Sequence, residues 1–114
     1  QEWARNIKEL AKCPNVSGKL GGLGMPVFGF AFQKRETLPG SQELADAWRP
    51  YLETCIEAFG PDRGMFESNF PPDSASCSYA NLWNAFKHVT KGTSAEVKAK
   101  LYKDTARKFY RLDV

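Results

Sequence analysis

Only two segments of this 114-residue chain read as β-strand, residues 16–20 (VSGKL) and residues 63–68 (RGMFES), and a long helical pattern lies between them. Strands joined by a crossover through a helix run parallel, whereas an antiparallel pair needs only a tight turn. Parallel sheets are buried on both faces and close through several strand–helix units. Two strands among four helical stretches therefore read as part of a larger α/β fold, and the chain is expected to be a piece of one. Its start on Gln1, already inside a helical pattern and with no secretory leader, fits a chain that begins within a longer protein.

The helices are set by apolar spacing. Trp3, Ile7, Leu10 and Ala11 recur at helical intervals until Cys13, Pro14 and Asn15 stop the pattern, because proline lacks an amide donor and restricts the residue before it. Ser41 is placed to N-cap a second helix, whose face carries Leu44, Trp48, Leu52, Ile56 and Phe59, with Pro50 expected to kink it or restart it. A third spans residues 79–89. Thr93 and Glu96 then offer a capping box for a last helix, in which Val97, Leu101, Thr105, Phe109 and Leu112 repeat.

In such folds the chemistry sits at the C-terminal ends of the strands, here residues 19–23 and 68–73. Both ends open into unusual loops. Residues 21–40 hold five glycines together with Phe28, Phe30 and Phe32, and a loop that long is expected to be functional, its phenylalanines either capping a pocket or forming satellite core. Residues 69–78 are rich in Pro, Ser and Asp, with Pro71 and Pro72 fixing the chain direction just after Asn69.

Composition excludes several classes of function. A net charge of +3, with cations scattered and no interleaved aromatic or glycine-rich pattern, argues against a nucleic-acid partner. Mean hydropathy of −0.48 leaves no run long enough to cross a bilayer, so no membrane partner is expected. Cys13, Cys55 and Cys77 are odd in number and form no CxxC pair, which reads as free thiols in a reducing, cytoplasmic setting rather than a disulfide or zinc framework. The single histidine, His88, lies on a helix, and one imidazole alone makes no metal site.

FGPDRGMFESNFPPD, preceded by PNVSGKLGGLGM and followed by SYANLWNAFK and AEVKAKLYKDTARKFYRL, resembles the C-terminal portion of the amidohydrolase-related (amidohydrolase 2) family. The likeness runs over essentially all of the chain and is strongest to the lactonase-like, metal-dependent branch. It implies the C-terminal part of a (β/α)8 TIM barrel, with the two strands as the seventh and eighth. It also implies a hydrolase that opens a lactone or similar cyclic ester or amide with an activated water. A divalent metal such as zinc is then expected in the full-length parent, held by upstream histidines, and none by this chain alone.

Where the family carries an aspartate in a GSDWP-like stretch, this sequence has Asn69 in ESNFP, a form that also occurs in the lactonase-like branch. An amide cannot serve as a general base, yet it can hydrogen-bond a water or a carbonyl. Asn69 and Asp73 are accordingly the expected catalytic residues, Asp73 either supplying a carboxylate or ending the Pro-Pro turn. Lys19, at the end of the first strand, and Phe70 are the expected substrate contacts, the lysine for a carboxylate or lactone carbonyl. Arg63 is expected to pair with a helix end or an acid. A non-catalytic, partner- or ligand-binding module is the competing expectation, and the exposed strand edges suggest self-association or pairing with the rest of a barrel.

Overall fold

The computed structural model describes residues 1–114 and resolves them into two compact units that share one long helix. The first unit comprises Gln1–Leu20, Pro50–Phe66 and Gly92–Val114; the second comprises Gly21–Arg49 and Glu67–Lys91.

The first unit contains α1 (Glu2–Ala11), β1 (Gly18–Leu20), the second half of α2 (Ser41–Phe59), β2 (Gly64–Phe66), α4 (Ala95–Ala99) and α5 (Thr105–Phe109). The strands are parallel, as a helical crossover requires, with Gly18 opposite Gly64, Lys19 opposite Met65 and Leu20 opposite Phe66. Each is three residues long, shorter than the sequence suggested, and the cause lies at both ends. At the entry, the Gly18 amide donates to Arg63 O, but the Val16 carbonyl is taken by the Arg63 guanidinium at 3.0 Å and its amide by Cys13 O. At the exit, the chain turns into the loops of the second unit. All three residues of β2 are buried, and Leu20, Leu52, Phe59, Met65 and Leu101 form the core of this unit.

Arg63 ties the segment before β2 to the end of α1. Its guanidinium donates to Ala11 O at 2.9 Å, Cys13 O at 3.0 Å and Val16 O at 3.0 Å, and lies 5.5 Å from the centre of the Phe59 ring. The first of these satisfies a carbonyl orphaned at the helix end, where a cation also meets the negative end of the dipole. The expected pairing with a helix terminus is what the structure contains.

The last helix is not the single α-helix that its apolar repeat suggested. Residues Lys100–Asp104 form a π turn between α4 and α5. A π turn lengthens the hydrogen-bonded period by a residue, and here Leu101 is buried while the Tyr102 ring meets Phe66 at 4.7 Å. Thr105 then donates its hydroxyl to Pro61 O. The cap of α4 is Ser94, accepting from the Val97 amide at 3.2 Å, one residue later than the box centred on Thr93.

The second unit contains the first half of α2, α3 (Tyr79–Val89) and the two loops that follow the strands. Helix α2 is unbroken across Pro50, which sits where the two units divide. Ser41 is the first helical residue rather than the cap, and its hydroxyl hydrogen-bonds His88 Nε2 at 3.1 Å, which gives the lone histidine a structural partner. Ser78 caps α3 by accepting from the Asn81 amide, and Leu82, Ala85, Phe86 and Val89 bury one face of the helix. Trp48 and Phe86, both 1% exposed, anchor the core of this unit with ring centres 6.2 Å apart.

Candidate functional site

The site is built where the loop leaving β1 packs on the loop leaving β2, and it lies wholly within the second unit. The sequence GGLG is glycine-rich for a steric reason. A Cβ on Gly21 would fall 2.4 Å from Glu67 Cγ and 2.5 Å from Glu67 O, and one on Gly24 would fall 2.9 Å from Asp73 Cγ and 3.0 Å from its Oδ2. Gly22, at φ +79°, lies against the Asn69 carboxamide. Bare backbone in the first loop thus lets residues 67 and 73 of the second approach it directly.

Hydrogen bonds complete the seam. The Gly24 amide donates to Asp73 Oδ2 at 3.1 Å, and Asn69 Nδ2 donates to Asp73 Oδ1 at 2.7 Å. The Ser76 hydroxyl donates to Gly24 O, and the Asp73 amide donates to Asn69 O at 3.0 Å. Asn69 itself has φ 51°, in the left-handed region that asparagine enters more readily than most side chains. The Phe70–Pro71 peptide is cis. Asp73 and Ser76 are fully buried, while Asn69 is half-buried and its Oδ1 receives no donor from within the chain.

Burial pushes the Asp73 carboxyl above its ordinary value of 3.8, opposed by the hydrogen bonds from Asn69 and Gly24 and reinforced by the charge of Glu67. A raised carboxyl means that the folded chain holds this proton more tightly than the unfolded chain. The stability contributed by Asp73 is therefore full below pH 3.8 and is lost as pH rises through the folded value. A carbon-13 titration of the Asp73 carboxyl should give a midpoint above 3.8, and a midpoint at or below it would show that the two donors outweigh burial. Cys77, buried beside Asp73, has its thiol raised to about 11, first by burial and then by the neighbouring carboxylate, so it is no nucleophile.

Of the residues singled out in the sequence, the structure brings Asn69 and Asp73 together. Phe70 is half-buried beside them and meets the Tyr79 ring edge-on at 5.2 Å. Lys19 is exposed on β1, in the first unit. Of the three loop phenylalanines, Phe32 is buried and stacked on Phe30 at 5.8 Å, with Arg35 over its ring, whereas Phe28 is 43% exposed. The loop is in part satellite core. Sequence reasoning missed Gly24 and Ser76 as members of the site, and the spacing of GGLG was the available signal.

No three His, Cys, Asp or Glu side chains converge to hold a metal ion. Asp73 supplies one carboxylate, both of whose oxygens already receive N–H donors, so these residues do not fit a divalent ion by themselves. No helix is long and apolar enough to cross a membrane.

Comparison with known proteins agrees with this architecture. The sequence profile of the family described as amidohydrolase matches residues 1–112. The uncharacterized protein y4mH of Sinorhizobium fredii (strain NBRC 101917 / NGR234) is 41% identical over 110 residues, which is 96% of this chain and 33% of that protein. Two crystal structures of an amidohydrolase from Burkholderia multivorans, one with bound HEPES and one with bound zinc, match 96% of this chain with a TM-score of 0.81 at 28% identity. The chain covers 36% and 37% of those two structures, so it spans about a third of the length of these relatives.

Proposed function

The chain belongs to the amidohydrolase family, and from that membership we propose that it forms the C-terminal part of a single (β/α)8 hydrolase domain that opens a lactone or similar cyclic ester or amide with an activated water. The observation that carries this reading is the seam between the two loops after the parallel strands. It holds one amide side chain, Asn69, half-exposed and hydrogen-bonded to Asp73, on the loop after a strand, the kind of position at which barrels of this family do chemistry.

On this reading Asn69 orients the attacking water or the substrate by hydrogen bonding, and Asp73 holds it there. Phe70 offers apolar contact to the substrate. A divalent ion in the whole protein, such as zinc, would draw its ligands from outside these residues. This chain alone supplies one wall of the pocket and is not expected to turn over substrate. The remainder of the barrel, or a second copy, would cover Trp3, Leu10, Phe109 and Tyr110, which stand exposed, and extend the two-stranded sheet.

The test is a pH-stat assay of the whole protein that carries this segment, against a panel of lactones, with light scattering on the same preparation and on the isolated chain. Asn69→Ala should lower kcat about 100-fold, the scale of losing one positioned polar group, while the isolated chain should be inactive and self-associated. Unchanged turnover in Asn69→Ala removes the hydrolase role of this site. Ligand binding without any turnover favours the binding-module reading, which Asn69 in place of the family's aspartate supports. A monodisperse, active 114-residue monomer would overturn the need for the missing wall.

A further inference from the structure

The two side chains that define the site are joined in one orientation only, and the surrounding backbone explains why. Asp73 Oδ2 is fixed by the Gly24 amide, and Gly24 is itself held from its other side by the Ser76 hydroxyl on its carbonyl. Asp73 cannot move toward residue 24, because the Gly24 backbone already lies against its carboxyl. Asp73 Oδ1 is then the one acceptor left to Asn69, and it takes the Nδ2 donor. A carboxylate accepts and never donates, so the amide of Asn69 has to turn its nitrogen inward. Its carbonyl oxygen, which has no donor within the chain, is the atom that remains.

We infer that Asp73 is a positioning residue that sets the hydrogen-bond polarity of the site: it turns Asn69 so that Oδ1 is offered, and the site therefore takes a donor group there, a water or a hydroxyl. The inference rests on the reading of Asn69 as the contact residue. It deepens that reading by giving the chemistry of what Asn69 meets, since a substrate carbonyl, which has no proton to give, is not the partner of Oδ1. A substrate bearing a ring hydroxyl, or the attacking water itself, is.

Asp73→Asn tests this without changing shape. The Gly24 amide still needs an acceptor, so the new side chain has to place its oxygen there and its NH2 toward Asn69. Asn69 must then turn over and offer its own nitrogen outward. Nitrogen-15 NMR of the labelled 114-residue chain and of the whole protein reads the change directly through hydrogen exchange of side-chain amides. In the wild type one Asn69 side-chain proton should exchange at least about tenfold more slowly than those of exposed asparagines. In Asp73→Asn that protection should pass to the amide introduced at position 73.

Free exchange of the Asn69 side chain in the wild type would overturn the inference, as would unchanged protection of Asn69 in Asp73→Asn. The wild-type measurement decides it even where the variant fails to fold. In the whole protein, the exchanged pair Asn69→Asp with Asp73→Asn again offers an oxygen at position 69, and should recover turnover that Asp73→Asn alone loses about tenfold or more. Recovery at a urea midpoint no higher than that of Asp73→Asn supports a role in polarity, because stability has not been restored, whereas recovery that tracks a raised midpoint, or no recovery, counts against it. The hydrogen-exchange result stands apart from catalysis: protected Asn69 in a protein whose Asn69→Ala variant turns over normally would sink the hydrolase reading and leave the orientation intact.

Discussion

Gly24→Ala is expected to lower the stability of the chain by about 3 kcal/mol, from overpacking added to a lost charge-assisted hydrogen bond. The added methyl would meet Asp73 Cγ at 2.9 Å, Oδ2 at 3.0 Å and Cβ at 3.1 Å. Relief would require moving a carboxylate that is fully buried and fixed at both oxygens, so the Gly24 amide and the Asn69 NH2 would be pulled from their acceptor. Gly92 provides the control, since its Cβ would meet nothing within 4 Å and its backbone is not in the left-handed region. Gly92→Ala should stay within about 0.5 kcal/mol of the wild type, as most unconstrained surface changes do. Urea denaturation of both variants makes the comparison. Equal midpoints for the two would mean that the seam yields easily, and that the glycines of this loop are not there for close approach.

Arg63→Ala should cost about 2–3 kcal/mol, again with urea denaturation as the measure. Three carbonyls, of Ala11, Cys13 and Val16, lose one shared cationic donor, and the Phe59 ring loses the guanidinium above it. The cost is less than the sum of three isolated bonds because Arg63 is only part-buried and water reaches the vacated carbonyls. Arg63→Lys should recover less than half of the loss, since an ammonium has no planar fork to reach separate carbonyls. Hydrogen exchange adds a local readout: the last turn of α1 should open in Arg63→Ala while β2 stays protected. Full recovery by lysine would show that charge at the end of α1, not the fork, is what matters.

Both contacts join residues about 50 positions apart, which local pattern does not reach. Apolar spacing alone located α1, α2 and α3, and Gly60, Pro61 and Asp62 marked the break before β2, because periodicity records which face of a local element is buried. The likeness of ESNFPPD and its flanks to one family drew attention to Asn69 as an expected site residue, and the parallel pairing followed from a helix between two strands. The capping positions were off by one at both Ser41 and Ser94: Ser41 lies inside its helix and its hydroxyl turns to His88, while Thr93 and Ser94 stand side by side before α4 and only the second faces the Val97 amide.

The tertiary structure decided the rest. GGLG was legible as a special loop, but not that Gly21 and Gly24 each make room for a particular residue of the other loop, Glu67 and Asp73, while Gly22 is there for its left-handed backbone. The π turn at Lys100–Asp104 is invisible to a period of 3.6 residues, because contacts with Pro61 and Phe66 accompany it rather than any local preference. Asp73 shows the division most clearly. Its sequence neighbours allow either a reactive carboxylate or a turn-ending acid, and a partner 49 residues away, the Gly24 amide, takes one oxygen and leaves the other to Asn69. Local pattern fixes which atoms are buried; the closure of two loops against each other fixes which of those atoms meet, and the chemistry available at Asn69 follows from the second.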